Sequence, residues 1–308
     1  MLDLKLIRSH PELIAENCRK RNVNVDIEKL LNLDAKVRQT TTKLDSFRQS
    51  RNNISNKMKG HLSDEERQPL IEESKKLRDH EAKKEALLRK LTKQRMGLLK
   101  QVPNLTHPDS PEGLTDEDNE PIRTVGTIPE FDFDPKDHLE LMQTLDLIDF
   151  DGGAKVSGQK FYFLKNQAVF IELALANYAM NLLQKEGFTI HMTPDLARHQ
   201  ILDGIGFNPR GEETQIYSIE DFDLCLIATA EITLGGLLID QVLDNELLPI
   251  MYAGFSHCYR TEAGAAGRES RGLFRVHQFS KVEMFAFTHP DQSEEMHQKM
   301  LSIEEQIY

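Results

Sequence analysis

The 308-residue chain is acidic, with 38 Lys and Arg against 50 Asp and Glu and a formal net charge of −12. Hydrophobic residues make up 39% of it, which is enough for two domains and one sizeable core. No run of roughly eighteen apolar residues occurs, so no membrane span is expected, and the amino terminus has neither a secretion nor a transit pattern. Three scattered cysteines favour reduced thiols, which predicts a cytoplasmic location, and their spacing to the histidines predicts no metal site.

The charges are segregated along the chain. Residues 1–100 hold 24 Lys and Arg against 15 Asp and Glu, a net +9. Residues 101–308 hold 14 against 35, a net −21. A basic amino-terminal part on an acidic body predicts a polyanionic partner that docks on one module only.

The amino-terminal part is predicted to form a long helical hairpin. Two seams with alternating three- and four-residue spacing are typical of a coiled coil. The first runs through Leu30, Leu33, Val37, Thr40, Leu44, Phe47, Arg51, Ile54 and Met58, and the second through Leu70, Ser74, Leu77, Glu81, Lys84, Leu88, Leu91, Arg95 and Leu98. Between them Lys59 and Gly60 interrupt the pattern, and Ser63 offers a helix N-cap. The short connection predicts antiparallel helices reaching roughly 50 Å.

Polar seam positions leave two roles open for this arm. It is either a spacer or dimerising coiled coil, or a nucleic-acid-binding element, and the basic excess favours the second. Phe47 is its only aromatic residue, so we expect contacts to the backbone and shape of a folded RNA rather than base stacking.

A linker and a second module follow. Five prolines and many acids in residues 103–130 indicate the linker. A helix is predicted near residues 137–147 and a strand at 161–164. A strongly apolar helix at 167–186 then ends at Gly187, and a strand at 188–192 leads to Pro194.

A short apolar strand at 224–227 delivers Thr229, Ala230 and Glu231. A hydroxyl and a carboxylate two residues apart can hydrogen-bond an ammonium and a second polar group of a small ligand. A helix N-cap explains the threonine equally well. We interpret Tyr217, Asp221 and Asp223 nearby as ordinary surface residues.

The rest of the module is organised around residues 255–287. Two apolar-rich runs flank a glycine- and alanine-rich loop, which predicts a β-hairpin with a long tip. In the second run, period-2 alternation places Arg275, Phe279 and Glu283 on one face, together with His277 and Lys281. Arg260 and Glu262 are expected to share a face in the first run. Arginines and carboxylates on one sheet suit a ligand with phosphates and a cation; the alternative is a hairpin whose charges are merely solvated.

Three consecutive segments of this stretch closely resemble motif 2 of class II aminoacyl-tRNA synthetases, in the form found in seryl-tRNA synthetases. They are residues 255–262 (FSHCYRTE), 263–272 (AGAAGRESRG) and 273–283 (LFRVHQFSKVE). About thirty contiguous residues agree, and the similarity extends over essentially the whole chain.

The resemblance implies an α+β fold in three parts. Residues 1–102 would be an antiparallel coiled-coil arm that grips the long variable arm of tRNA(Ser), and 103–130 a linker. Residues 131–308 would carry a mostly antiparallel class II sheet with surrounding helices. In the family the apolar helix, the strand and Pro194 make motif 1, which implies a homodimer.

The resemblance also implies the reaction and its residues. Serine and ATP, with Mg²⁺, would give seryl-adenylate, and serine would pass to the 3′ end of tRNA(Ser), with tRNA(Sec) left open as a second acceptor. The catalytic set would be Arg260, Glu262 and Arg275. ATP would contact these together with Thr261, Val276 and Phe279, while Thr229, Ala230, Glu231 and Glu283 would bind serine.

Two alternatives remain open from the residues alone. One is a synthetase-like binding protein without aminoacylation activity, and the other an adenylating ligase with a different acceptor. In the family about a hundred further residues follow position 308 and carry motif 3. We therefore expect the 308-residue chain by itself to be inactive in serine activation and prone to aggregate.

Overall fold

A computed structural model describes residues 2–60, 63–113, 115–207, 215–262 and 272–308. The chain forms two compact units, residues 1–124 and 125–308. The boundary falls inside the predicted linker. Within the first unit, Asn17 holds the start of that stretch, because its side chain hydrogen-bonds the backbone of Asn104 and Thr106 at 3.1 and 2.9 Å.

The described part of the first unit contains four α-helices: α1 (Leu4–Ser9), α2 (Pro11–Lys20), α3 (Ile27–Lys57) and α4 (Asp64–Leu99). The predicted Ser63 cap is confirmed, since its hydroxyl accepts from the Glu66 amide while Glu66 accepts from the Ser63 amide. Helices α3 and α4 pack along the predicted seams. The apolar core of the unit gathers at the base of the arm, where these two helices meet α1 and α2, and contains Ile7, Ile14, Cys18, Ile27, Leu30, Leu99 and Val102.

One seam position differs from the prediction. Leu33 is only half-buried, whereas the neighbouring Asp34 is 1% exposed. Its carboxylate lies 3.0 Å from both Arg8 and Arg38 and 2.8 Å from Arg95. Burial by itself raises the pKa of Asp34, but the hydrogen bonds from the three arginines outweigh it and hold the pKa below the ordinary value. A buried charge is therefore tolerated in the seam because three elements converge on it.

Further along the arm, two more polar residues are buried with partners. The predicted seam residue Glu81 pairs with Arg51 at 3.0 Å. Thr40 donates to the Lys36 carbonyl at 2.7 Å. Both polar seam positions thus have a structural use in the described part of the arm.

The second unit mixes short strands and helices. In chain order it contains α5 (His138–Thr144), β1 (Ile148–Asp149), α6 (Phe150–Ser157), β2 (Phe163–Leu164), α7 (Gln167–Lys185), β3 (Thr189–Met192), β4 (Leu196–Ala197), α8 (His199–Ile205), β5 (Cys225–Leu226), α9 (Ala230–Gly236), β6 (Ile250–Tyr259), β7 (Gln278–Phe287) and α10 (Ser293–Ile307). The helices predicted at 137–147 and 167–186 are confirmed within a few residues. None of the described helices combines the length and hydropathy needed to cross a bilayer.

The largest described sheet has the order β3-β6-β7. Strands β6 and β7 form the predicted antiparallel hairpin, but β3 runs parallel to β6, so this sheet is mixed. Its core pairs the sheet with α7 and α10 and contains Leu183, Phe188, Ala253 and Ile303. Gly187 has φ +92°, a left-handed conformation that suits the abrupt end of α7.

A large apolar surface stays exposed on α7 and β3. Phe170 is 72% and Met192 82% exposed, and Ile171, Leu173, Leu175 and Tyr178 are at least half exposed. Exposed apolar side chains in this number are typical of an interaction surface rather than a solvated face.

Candidate active site

One face of the β6–β7 hairpin carries polar side chains, and the pairing of the two strands determines which residues lie on it. Gly254 lies opposite Glu283, Ser256 opposite Lys281 and Cys258 opposite Phe279. Residues directly opposite in an antiparallel pair share a face, so these six side-chain positions line one surface. The predicted alternation of Phe279, Lys281 and Glu283 is thereby confirmed. Strand β7 begins at Gln278, so Arg275 and His277 precede it rather than belong to it.

Arg260 continues the hairpin by one residue pair. Its amide donates to the His277 carbonyl at 3.0 Å, which keeps its side chain on the face of Cys258 and Phe279. The Arg260 guanidinium carbon lies 5.1 Å from the centre of the Phe279 ring. This is cation–π geometry, and it places the arginine directly against the Phe279 ring.

Glu262 reaches the same region by a different route from the one predicted. Strand β6 ends at Tyr259, and Glu262 has φ +49°, so strand alternation does not relate it to Arg260. Its amide donates to Gln215 Oε1 at 2.8 Å, and its carboxylate lies 3.4 Å from Arg275 Nη1. The Glu262 carboxylate is largely shielded from water, which strengthens its attraction to Arg275.

Thr261 and Val276 flank these charged residues. The Thr261 amide donates to the Gln215 carbonyl at 3.3 Å, and Val276 is buried just before β7. The predicted glycine- and alanine-rich tip, residues 263–271, lies outside the described residues.

Thr229 is the N-cap of helix α9 and also faces the hairpin. Its hydroxyl oxygen accepts from the Glu231 amide at 3.3 Å, so the N-cap interpretation holds. The same hydroxyl donates to Glu283 in a very short contact, so the ligand-site interpretation is equally compatible. Ala230 is fully buried, and a Cβ on Gly254 would come within 3.0 Å of its methyl group. Gly254 therefore allows α9 to approach β6 closely.

Lys281 connects the groups at this end of the face. Its ammonium lies 3.1 Å from Thr229 Oγ1 and forms an ion pair with Glu283. Burial, and next the charge of Glu283, raise the pKa of Glu231, while Lys281 partly opposes them. A raised carboxyl pKa beside a second carboxylate is typical of a ligand site rather than a solvated surface.

The two ends of the face have complementary chemistry. One end carries Arg260, Arg275 and an aromatic ring, which suits a phosphorylated ligand with a flat base. The other end carries two carboxylates and a hydroxyl, which suit a small ligand with an ammonium and a hydroxyl. The alternation of β7 places Phe279 at the first end and Glu283 at the second.

Three further residues near this site were not among the predicted site residues. Tyr217, interpreted above as a surface residue, has its hydroxyl 2.9 Å from His277 Nδ1, which also lies 2.8 Å from the Arg260 carbonyl. Gln215 accepts hydrogen bonds from the backbone amides of Thr261 and Glu262, and His277 stacks on Phe161 with ring centres 5.1 Å apart. Gln215 and Tyr217 reach Glu262 and His277 from more than forty positions away, so no local pattern could have found these contacts.

Comparison with known proteins agrees with this geometry. Residues 1–106 match the family described as the seryl-tRNA synthetase N-terminal domain, and residues 216–308 match the tRNA synthetase class II core domain of the G, H, P, S and T types. The serine–tRNA ligases of Treponema denticola and Rubrobacter xylanophilus are 49% and 50% identical over 308 residues, which is 100% of this chain and 73% of theirs.

The chain belongs to the seryl-tRNA synthetases. Solved structures of family members have the same fold. The seryl-tRNA synthetase from Pyrococcus horikoshii, crystallised with ATP, is 34% identical with a TM-score of 0.83, covering 98% of this chain and 73% of that one. The cytoplasmic serine-tRNA ligase from Naegleria fowleri, in complex with AMP, is 30% identical with a TM-score of 0.79, covering 99% of this chain and 72% of that one.

Membership of this family confirms the predicted class II α+β fold and identifies the activity as that of a serine–tRNA ligase. It disfavours the two alternatives, a binding protein without aminoacylation activity and an adenylating ligase with a different acceptor. This seryl-tRNA synthetase chain spans about three quarters of the length of the relatives it matches. The individual residue roles predicted above remain predictions.

Proposed function

We propose that this chain, in a protein of its relatives' full length, activates L-serine with ATP to form seryl-adenylate and transfers the serine to tRNA(Ser). The observation that carries the proposal is the single hairpin face on which Arg260 and Phe279 lie beside Thr229, Lys281 and Glu283. Activation requires a serine carboxylate to reach the α-phosphate of ATP. A site for this reaction must hold two anions together while negative charge grows on phosphorus.

At the nucleotide end, Arg260 bridges the serine carboxylate and the α-phosphate, and Phe279 stacks on the adenine. Arg260 lies against the Phe279 ring, so it must leave the ring face when the base stacks there. The loss is modest, about 0.5–1 kcal/mol for a partly exposed cation–π contact, and a phosphate contact offsets it. Arg275 holds the distal phosphates and Glu262 orients it, while Thr261 and Val276 line the nucleotide.

At the amino-acid end, Thr229, Ala230, Glu231 and Glu283 bind serine. A pocket that pairs its polar groups with a substrate hydroxyl rejects the analogue without one, since those groups would lose a partner. The raised pKa of Glu231 fits this role, because an incoming ammonium compensates a carboxylate whose ionised form is destabilised by burial.

Mg²⁺ is proposed to arrive with ATP. Within the described residues, no three His, Cys, Asp or Glu side chains converge in a way that could hold a metal ion. No residue is therefore assigned to magnesium, and no step depends on it.

Serine-dependent ATP–pyrophosphate exchange tests the activation step. Arg260→Ala should lower the exchange rate by about 100- to 1000-fold, the usual cost of losing one donor to transition-state charge. Arg260→Lys is the matched variant and should not restore the rate, because a point charge does not bridge two oxyanions as a planar guanidinium does. Unchanged exchange in Arg260→Ala, or equal exchange with alanine and serine, would contradict the proposed site.

The arm formed by α3 and α4 is proposed to bind tRNA(Ser) through its phosphate backbone. Exposed cations on the outer half of the arm support this, including Lys57, Lys59, Lys75 and Lys76. Replacing these four lysines by glutamine should weaken tRNA binding and flatten its salt dependence, since each phosphate contact contributes about −0.9 to the slope of log K against log salt.

The matched control replaces Glu72 and Glu73, exposed on the same helix, by glutamine. It should not weaken binding. Equal salt slopes for the lysine variant and the unaltered chain would reassign the arm to a structural role.

A second copy of the chain is proposed to cover the exposed apolar face of α7 and β3 and the adjoining Pro194. Phe170→Asp should shift the sedimentation equilibrium from dimer to monomer, because a charge would be buried without a partner. Val242→Asp is the control, since Val242 is fully exposed in the same unit. A dimer that survives Phe170→Asp would argue against this interface.

The proposed location is the cytoplasm. All three cysteines are free and buried, as expected for a reducing compartment, and the Naegleria relative is named as cytoplasmic.

A further inference from the structure

Lys281 lies at the centre of the proposed serine pocket, although the sequence singled it out only as one residue of an alternating strand. It occupies the β7 position between Phe279 and Glu283, and its ammonium contacts both Thr229 and Glu283. No other lysine or arginine among the described residues has a contact to either group.

The first consequence concerns charge. Glu231 and Glu283 are like charges in a partly dehydrated pocket, where two carboxylates cannot both stay ionised without a compensating cation. Among the described residues, no lysine or arginine besides Lys281 contacts Glu283, and Arg260 lies toward the Phe279 ring. Burial raises the pKa of the Cys258 thiol, which therefore stays neutral and adds no further negative charge.

With Lys281 counted, the pocket carries one uncompensated negative charge. A single substrate ammonium neutralises it. Without Lys281 the pocket would carry two, and one carboxylate would bind a proton that the substrate must then displace.

The second consequence concerns orientation. A hydroxyl has one donor and two acceptor positions, and Thr229 uses all three, so a serine that bonds this hydroxyl replaces one of its partners. It donates to Glu283 and accepts from the Glu231 amide and from Lys281. Lys281 thus holds the hydroxyl proton on Glu283 and fixes the position of both groups.

We propose that Lys281 is a positioning residue of the serine pocket, which sets its charge to that of one unpaired carboxylate and fixes the Thr229–Glu283 pair. The inference rests on the proposed function, since it assumes that this pocket binds the serine ammonium.

The test is isothermal calorimetry on the full chain with a non-hydrolysable seryl-adenylate analogue, seryl-sulfamoyl adenosine, and with AMP as a probe of the nucleotide end alone. Lys281→Met should weaken binding of the seryl analogue by about 10- to 100-fold, the usual effect of losing a charged hydrogen-bond partner. It should change the affinity for AMP by less than about twofold. Lys281→Arg keeps the charge and should recover most of the affinity.

Proton linkage separates this role from a merely structural one. Repeating the titration in buffers of different ionisation enthalpy measures the protons released on binding. Lys281→Met should release more protons near neutral pH than the unaltered chain, because the ammonium displaces a proton from the carboxylate pair. Lys281→Gln, whose amide can still bond Thr229, should show the same increase in proton release over the unaltered chain. It provides the measurement if the methionine variant does not fold.

The outcomes are distinguishable. If the unaltered chain binds the seryl analogue no more tightly than AMP, the proposed function fails and this inference fails with it. If it binds more tightly but both neutral variants match it in affinity and in proton release, only the role of Lys281 is overturned. A neutral variant that binds the analogue more tightly also overturns it.

Discussion

Asp34→Asn is expected to destabilise the amino-terminal unit far more than its place on a solvent-facing coiled coil would suggest. The substitution keeps the size of the side chain but removes a buried charge that contacts Arg8, Arg38 and Arg95. Removing one partner of a buried ion pair costs about 3–5 kcal/mol. Here the arginines are 32%, 59% and 18% exposed, so water compensates part of the loss, above all at Arg38.

With the exposed pairs counted for less, Asp34→Asn should lower the free energy of unfolding by about 2–4 kcal/mol, most of it from the contacts to Arg95 and Arg8. Arg95 is already short of a partner, since its buried Nε has no hydrogen bond. For a unit of this size the loss corresponds to a fall in Tm of about 8–16 °C. Thermal unfolding followed by circular dichroism at 222 nm measures it, because α3 and α4 carry much of the helix.

The pH dependence provides a second check. The pKa of Asp34 is held below its ordinary value, so its contribution to stability is fully present above the unfolded-state pKa and is lost as the pH falls through the folded-state pKa. Asp34→Asn should therefore remove part of the acid destabilisation. The control is Asp45→Asn, on the same helix but 64% exposed, which should change stability by less than about 0.5 kcal/mol. Equal stabilities for the two variants would refute the reasoning.

Three further predictions concern the second unit. Gly153→Ala should lower the free energy of unfolding by about 1–3 kcal/mol, because its Cβ would lie 2.3 Å from the Phe161 carbonyl oxygen. Gly204→Ala is the control and should be neutral or stabilising, because Gly204 is helical and has open space around it. Denaturant unfolding measures both variants. Thr229→Val should raise the KM for serine in pyrophosphate exchange by about tenfold or more, whereas Thr229→Ser should retain most of the affinity; equal values would show that the hydroxyl is not used. As the pH falls, the KM for serine should begin to rise at a pH above the ordinary glutamate pKa, because the pKa of Glu231 is raised. Glu231→Gln should abolish this rise, and a pH series of the KM for serine measures it.

Much of the local structure could be predicted from the sequence because it depends on neighbouring residues. The seven-residue spacing of Leu30, Val37 and Leu44 determines which side of α3 is buried, and Ser63 with Glu66 satisfies amides at the start of α4. The alternation of Phe279, Lys281 and Glu283 likewise follows from strand geometry alone. The motif-2 resemblance was strong for a related reason, since its thirty residues are contiguous.

Only the tertiary structure decided which polar groups meet. Asp34 is buried at the position predicted for Leu33, because Arg8 and Arg95 contact its carboxylate from two other helices. Gln215 supports Glu262 where strand alternation had already ended. Thr229 serves at once as a helix cap and as a partner of Glu283, and Lys281 becomes the counter-charge of the pocket. The physical reason is that the pairing of a buried charge depends on distances of a few ångströms between remote segments, whereas hydrophobic periodicity depends only on the residue's position along its own helix or strand.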